Sequence, residues 1–377
     1  MNFDLGDEQR MLVDAARGLL RKSPLAMGVE RPEAREESWR PLWREMAQLG
    51  WMGVMIPEGY GGSGGSFLDL VLLLEEMGYH ACPGPFFSTV ILGALPIMIC
   101  GSDAQKEEFL PRVARGELVI TLALTEPSAS YEPSRITTTA HRLGDGSYHL
   151  NGTKLFVPDA DLAQHLVFVA RTQEVVDPEE GITLFMVDMD NEGIECTRLK
   201  TLAKDSQCEV VFRDVRVPRE AMLGAEGMGW PCVKHTLDAA TVGRCAEMVG
   251  GARYVMDMAV AYAKERVQFG RPIGGFQAIH QHLADMWVEI CGSRNLLYKT
   301  AWLLSEGLPA SKEVSMLKAK VGEAYRRVTT LGHQILGAIG FTMEHPMHLY
   351  HRRAMAGDLA FGNADFHKEL VAGELGL

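Results

Sequence analysis

The sequence has no CxxC pair, and its seven cysteines (Cys82, Cys100, Cys196, Cys208, Cys232, Cys245, Cys291) are scattered and odd in number. Zinc sites need closely spaced ligands and disulfide frameworks need even, patterned cysteines, so neither is expected. Buried thiols in a reducing compartment are the plain reading. A surplus of positive charge is also lacking: 37 Lys and Arg stand against 49 Asp and Glu, for a formal net charge of −12. Phosphate backbones are bound by clustered Lys and Arg, which argues against nucleic acid as the main partner. A local basic pocket for a phosphorylated cofactor remains compatible. No apolar run reaches the roughly 18 residues that a membrane helix needs. The opening stretch MNFDLGDEQRMLVDAARGLLRK mixes acids into its apolar positions, unlike a signal peptide. A cytoplasmic protein without membrane contact is expected. Internal repeats and low-complexity segments are missing too.

What is there is enough chain for a large core: 377 residues, 47% hydrophobic and 23% charged, suited to two or three domains. Three stretches differ in pattern. Residues 1–117 read as helical, with EQRMLVDAARGLLRK, SWRPLWREMAQLGW, FLDLVLLLEEMGYHA and DAQKEEFLPRVARGE at helical spacing and a glycine-rich loop, PEGYGGSGGS, between the second and third. Residues 118–224 hold short β-rich runs such as VITLALTEP, HLVFVAR and CEVVFRDVRVP, separated by turn signals at Gly144-Asp145-Gly146 and Asn151-Gly152; a small β-barrel or sandwich is expected. Residues 225–377 return to the helical period, including one helix of about 30 residues from Thr236 to Arg266, and suit a four-helix bundle. The fold class is α+β.

Five local motifs then occur in order: ALTEP (123–127), NGTK (151–154), FRDVRVP (212–218), ERVQFGRPIGGFQAIHQHLADM (265–286) and QILGAIGFTMEHP (334–346). Together they make the chain resemble the acyl-CoA dehydrogenase family over essentially its whole length. That resemblance implies FAD held between a middle β domain and a C-terminal bundle, with part of each site supplied by a neighbouring subunit. It implies an acyl-CoA substrate oxidised at Cα–Cβ, with a glutamate taking the α-proton and an electron-transfer flavoprotein taking the electrons. Carried over by position, Arg266, Phe269 and Gln277 would contact the FAD diphosphate and adenosine from the partner subunit. An arginine suits a diphosphate because its planar fork donates charge-assisted bonds to phosphate oxygens; the plain alternative is a surface pair with Glu265. Gln334, Ile335, Gly337 and Ala338 match a glycine loop that lets backbone approach the cofactor, with Ala338 in place of a second glycine. Leu124, Thr125 and Ser130 match positions facing the flavin ring and phosphate. Phe156 and Val157 stand where a Trp-Ile pair lies against the ring; ordinary barrel core is the alternative for Phe156. Ser130-Tyr131-Glu132 replaces a Gly-Ser-Asp, and Pro158 replaces a Thr and removes one backbone donor.

The catalytic glutamate is missing at both places where the family keeps one. The turn position falls on Phe361 and the long-helix position on Ala240, beside Thr241 in place of an Arg. Neither side chain can accept a proton. Glu247, Asp358 and Asp365 are the acids that could stand in, each with a solvated or structural role as the plain alternative, and Asp238 matches an aspartate near the CoA end. His345, His348 and His351, spaced by three, would be needed for any metal, and none is expected. Three functions stay open. The first is the subunit without catalytic glutamate of a heteromeric acyl-CoA dehydrogenase, of the type associated with bulky, steroid-like thioesters, whose sister subunit carries the glutamate. The second is a self-sufficient flavin dehydrogenase or oxidase with a relocated base. The third is a non-catalytic scaffold relative.

Overall fold

The computed structural model describes residues 5–22 and 35–377. Helices α1 (Asp7–Leu20), α2 (Arg35–Gln48), α3 (Phe67–Tyr79), α4 (Leu95–Cys100) and α5 (Asp103–Ala114) come first. Strands β1 (Ile120–Ala123), β2 (Thr139–Arg142), β3 (Tyr148–Pro158), β4 (His165–Arg171), β5 (Ile182–Asp188), β6 (Ile194–Arg198), β7 (Gln207–Val217) and β8 (Met222–Leu223) follow. The 36-residue α6 (Trp230–Glu265), the hairpin β9 (Val267–Gln268) and β10 (Arg271–Pro272), and helices α7 (Gln277–Ser305), α8 (Ser311–Leu336), α9 (Met347–Leu359) and α10 (Ala364–Glu374) complete the chain. Among the described residues no helix is long and apolar enough to cross a membrane. The helical, β-rich, helical order expected from the sequence is observed.

By its internal contacts the chain forms two compact units, each assembled from separate segments. One takes Arg40–Gly65 and Gly84–Ala240; the other takes Met1–Trp39, Ser66–Pro83 and Thr241–Leu377.

The first unit is built on an eight-stranded sheet of order β6-β7-β3-β2-β4-β5-β8, with β1 running parallel beside β4. Strands distant in that order meet face to face: Phe168 on β4 lies 4.4 Å from Phe212 on β7, and Tyr148 on β3 lies 5.0 Å from Phe185 on β5. The sheet therefore curls around one core, which Leu150, Val157, Leu166 and Val210 also fill. β7 alternates buried Cys208, Val210 and Phe212 with outward residues, and the alternation slips before Val215, where Asp214 has φ +51°. Its pairing with β3 shifts register twice, the first time with the extra residue on β7 and the second time with it on β3. At the first bulge Gly152 has φ +139°, and a Cβ there would stand 2.3 Å from Thr138 Cγ2, so only glycine fits. An unassigned apolar run in the sequence, Ser88–Ala94, is a wide π turn leading into α4. Its Gly93 packs directly on Ile120 of β1.

In the second unit α8 is central, with α7, α9 and α10 packed on it. α3 crosses α6 at backbone contact. A Cβ on Gly78 would lie 2.0 Å from the Glu247 carbonyl oxygen, and one on Gly250 would lie 1.8 Å from that of Glu75. The crossing also buries charge: the Glu75 carboxylate accepts from Arg253 at 2.6 Å and from the Tyr298 hydroxyl at 2.7 Å, and Glu76 accepts from Arg17 at 3.0 Å.

Candidate functional site

In the β-rich unit Leu124, Thr125, Phe156 and Val157 come together at the end of β1 and the bulge of β3. Leu124 and Thr125 follow β1, and the Thr125 carbonyl accepts the Leu155 N–H at 2.8 Å. The bulge lies between Lys154 and Val157 and puts Phe156 at φ +54° with 47% of its surface exposed. A bulky residue held left-handed is uncommon, and this one keeps its ring half-exposed at a bulge. Phe156 is not barrel core. Val157, next along, turns its side chain into the core and leaves only backbone outward. Pro158 ends the strand opposite Gln207, and the following N–H, of Asp159, donates to the Ser206 carbonyl. The Ser130 oxygen accepts the Glu132 N–H at 3.1 Å, so its hydroxyl proton is free to donate.

Beneath these residues lies a pair to which sequence reading gave no role, although both members stand in quoted motifs. Lys154 of NGTK is fully buried and donates to Glu126 of ALTEP at 2.8 Å and to the Leu124 carbonyl at 3.1 Å. Glu126 also accepts the N–H and hydroxyl of Thr137, at 2.8 and 2.6 Å, and of Thr138, at 3.1 and 2.7 Å. Burial pushes the Glu126 carboxyl up, but the Lys154 charge and the hydrogen bonds from Lys154 and Thr137 overcome it and hold the pKa at about 2. Burial draws Lys154 down to about 8 against the pull of Glu126.

In the bundle unit Arg266, Gln277 and Gln334 are exposed, and among the described residues none of their side chains has a hydrogen-bond or ion-pair partner. Glu265 does not pair with Arg266, which leaves the guanidinium free for an outside anion. Phe269 and Gly270 form the two-residue turn of the β9–β10 hairpin with φ +53° and +80°. That turn type favours Asn-Gly, so a phenylalanine there is strained; its ring is 93% exposed. Gly337 has φ +64° with open space at its Cβ position, and Ala338 lies outside the left-handed region, so its methyl adds no backbone strain. Ile335 is buried and positions the loop from within.

Of the two positions where the family keeps its base, one is closed off and the other is half-buried. Ala240 is wholly buried. Phe361 sits in the turn between α9 and α10 with φ +58°, followed by Gly362 at +94°. That turn is fastened from below: the buried Lys318 ammonium donates to the carbonyls of Asp358 at 2.6 Å and Gly362 at 2.7 Å, and His367 Nε2 donates to Phe361 O at 2.9 Å. Burial draws His367 down to about 4, so the ring is neutral near pH 7. Sequence reading missed Lys318; its signal is a charge on the buried stripe of α8, four residues from Val314 and from Gly322.

The acids flagged as replacements are engaged elsewhere. Glu247 pairs with Arg244, Asp358 with Arg326 at 3.0 Å, and the exposed Asp365 with Lys368 at 3.7 Å. Asp238 has no partner among the described residues, and burial lifts its carboxyl to about 6 with Lys234 opposing. Two residues along a helix turn through about 200°, so Asp238 and Ala240 face opposite ways on α6. The three histidines face different neighbours: His345 accepts from Met347 N, His348 meets the Met343 carbonyl and His351 meets Thr329. Among the described residues no group of His, Cys, Asp or Glu could hold a metal.

Comparison with known proteins gives the same outline. The chain matches the acyl-CoA dehydrogenase N-terminal domain over residues 6–117, the middle domain over 121–215 and the C-terminal domain over 227–376. It is 32% identical to the acryloyl-CoA reductase (NADH) of Anaerotignum propionicum, covering 100% of this chain and 96% of that protein. It is 29% identical to CarC, a subunit of the caffeyl-CoA reductase–Etf complex of Acetobacterium woodii, covering 98% of each. The structure of butyryl-CoA dehydrogenase from Megasphaera elsdenii superposes with a TM-score of 0.93 at 33% identity over 100% of both chains.

Proposed function

Because the chain belongs to the acyl-CoA dehydrogenase family of FAD-dependent oxidoreductases, we propose that it is the base-less subunit of a heteromeric acyl-CoA dehydrogenase acting on a bulky, steroid-like thioester. One observation carries this reading: both base positions are apolar, and Glu247, Asp358 and Asp365 are each held in an ion pair. Abstraction of an α-proton needs a carboxylate held close to the carbon, and this chain presents none at either place.

FAD is the cofactor, and the residues present fit it. Leu124 and Thr125 offer backbone beside the exposed Phe156 ring, Ser130 offers a hydroxyl proton, and Arg266, Gln277 and Gln334 offer free donors. The exposed backbone at Gly337 and Ala338 leaves room for close approach. When bound, FAD supplies the acceptor for the hydride. In this reading Arg266 and Gln277 hold diphosphate and adenosine, and Phe156 fixes the ring plane and excludes water from one face. The sister subunit contributes the glutamate, and an electron-transfer flavoprotein removes the electrons, in keeping with the Etf complex to which CarC belongs.

The test is an anaerobic titration of the FAD-supplemented chain with a panel of acyl-CoAs, following flavin absorbance. Bleaching is expected only after a glutamate-bearing sister subunit is added. Bleaching by the chain alone rejects the half-enzyme and favours a relocated base, which Glu247→Gln, Asp358→Asn and Asp365→Asn would then locate by loss of bleaching.

A further inference from the structure

The flavin-facing surface of the β-rich unit consists of two chain segments, residues 124–126 and 154–156, which are far apart in sequence. Three bonds join them inside the sheet: Lys154 to Glu126, Lys154 to the Leu124 carbonyl, and Leu155 N–H to the Thr125 carbonyl. Lys154 is wholly inaccessible, and its ammonium also lies 5.2 Å from the centre of the Phe168 ring on β4. Glu126 carries the linkage on to Thr137 and Thr138, ahead of β2.

Such a pair is poorly explained as a source of stability. Two charges taken from water lose solvation that their attraction scarcely repays, and apolar residues of the same volume often serve as well. Geometry explains it better. The bulge that starts after Lys154 holds Phe156 left-handed, a state that persists only where the surroundings over-determine it. The lysine fixes one end of that bulge to the backbone just before Thr125.

We propose that Lys154 and Glu126 are the positioning pair of the flavin site, locking Leu124, Thr125 and Phe156 into one rigid face against which the isoalloxazine ring is held. The proposal rests on the reading that FAD lies against these residues. Neither member touches the cofactor, since both are buried beneath the surface that does. Glu126 is the charged group that Lys154 meets; β4 presents Phe168 and the segment before β2 presents Thr137 and Thr138.

The test uses the full chain with Lys154→Met and Glu126→Gln combined, so that no charge is left buried alone. Melting temperature is read on the apoprotein, and FAD affinity and the flavin absorption band on the loaded protein. The double variant is expected to melt within a few degrees of the parent yet bind FAD about ten-fold more weakly or worse, with a shifted band. Parent-like affinity and spectrum in a folded double variant overturn the proposal. Should that variant not fold, Thr137→Val removes one bond to Glu126 from an exposed position and is expected to weaken FAD about two- to three-fold; unchanged affinity there counts against the pair equally. Phe156→Ala separates the two layers of the argument. If it leaves FAD binding intact, the site itself is misplaced. If it weakens binding while the pair variants do not, only the positioning role falls.

Discussion

At the scale of single residues, the chemistry sits in groups whose neighbours decide their protonation. Glu126 is held charged to about pH 2, against 4.5 for a free glutamate. A carboxyl with a depressed folded pKa adds stability that is complete above 4.5 and is lost as pH falls from there toward 2. The urea midpoint should therefore drop through that window more steeply in the parent than in the Lys154→Met, Glu126→Gln double variant. Equal slopes would show that Glu126 is no more stabilised by folding than by water. The single Glu126→Gln change strands a buried ammonium and should cost about 3–5 kcal/mol. Motif residues were legible in the sequence as motifs, but not as a pair: nothing in ALTEP or NGTK says that the acid of one neutralises the base of the other. Phe156 shows the complementary limit. Its sequence allows core or site equally, and only its exposure takes it out of the core.

At the scale of elements, the periodicity of α1 and α5 was readable because each has an apolar stripe against a polar face. Ser88–Ala94 was not, since an apolar run buried on all sides carries no helical phase. The helix crossings were also hidden. Gly78 and Gly250 look like helix weakeners in the sequence, yet each admits the backbone of the other helix, and α6 could not otherwise lie against α3. Gly250→Ala drives a methyl into the Glu75 carbonyl, which cannot rotate away, and should destabilise by about 2–3 kcal/mol in urea unfolding. Gly373→Ala on α10, with no atom within 4 Å of the new carbon, should instead stabilise by about 0.5–1 kcal/mol. Similar effects from both would mean that the crossing relaxes freely. The same close crossing involves Glu247, the acid seven residues beyond Ala240, whose carboxylate is already committed to Arg244.

At the scale of the whole molecule, the residues proposed to hold FAD raise the question of how many subunits complete one site. The family resemblance assigns the Arg266, Phe269 and Gln277 contacts to a neighbouring subunit. The bundle surface agrees with that in character: Phe269 stands 93% exposed on a strained turn, with Trp287 at 56% and Val288 at 69% on α7. Large apolar side chains kept in water on an otherwise acidic protein suit the covered face that this reading requires. If the neighbour supplies half of each site, FAD affinity and association must be linked, because a ligand spanning two subunits favours the assembled state by mass action. FAD should therefore leave the protein on dilution in step with dissociation of the oligomer seen by sedimentation. Phe269→Asp puts a charge on the covered face and repels the diphosphate, so it should shift both curves to higher protein concentration together. A monomer that keeps FAD at full affinity on dilution would place the entire site within one chain and remove the reason for a second subunit to complete it.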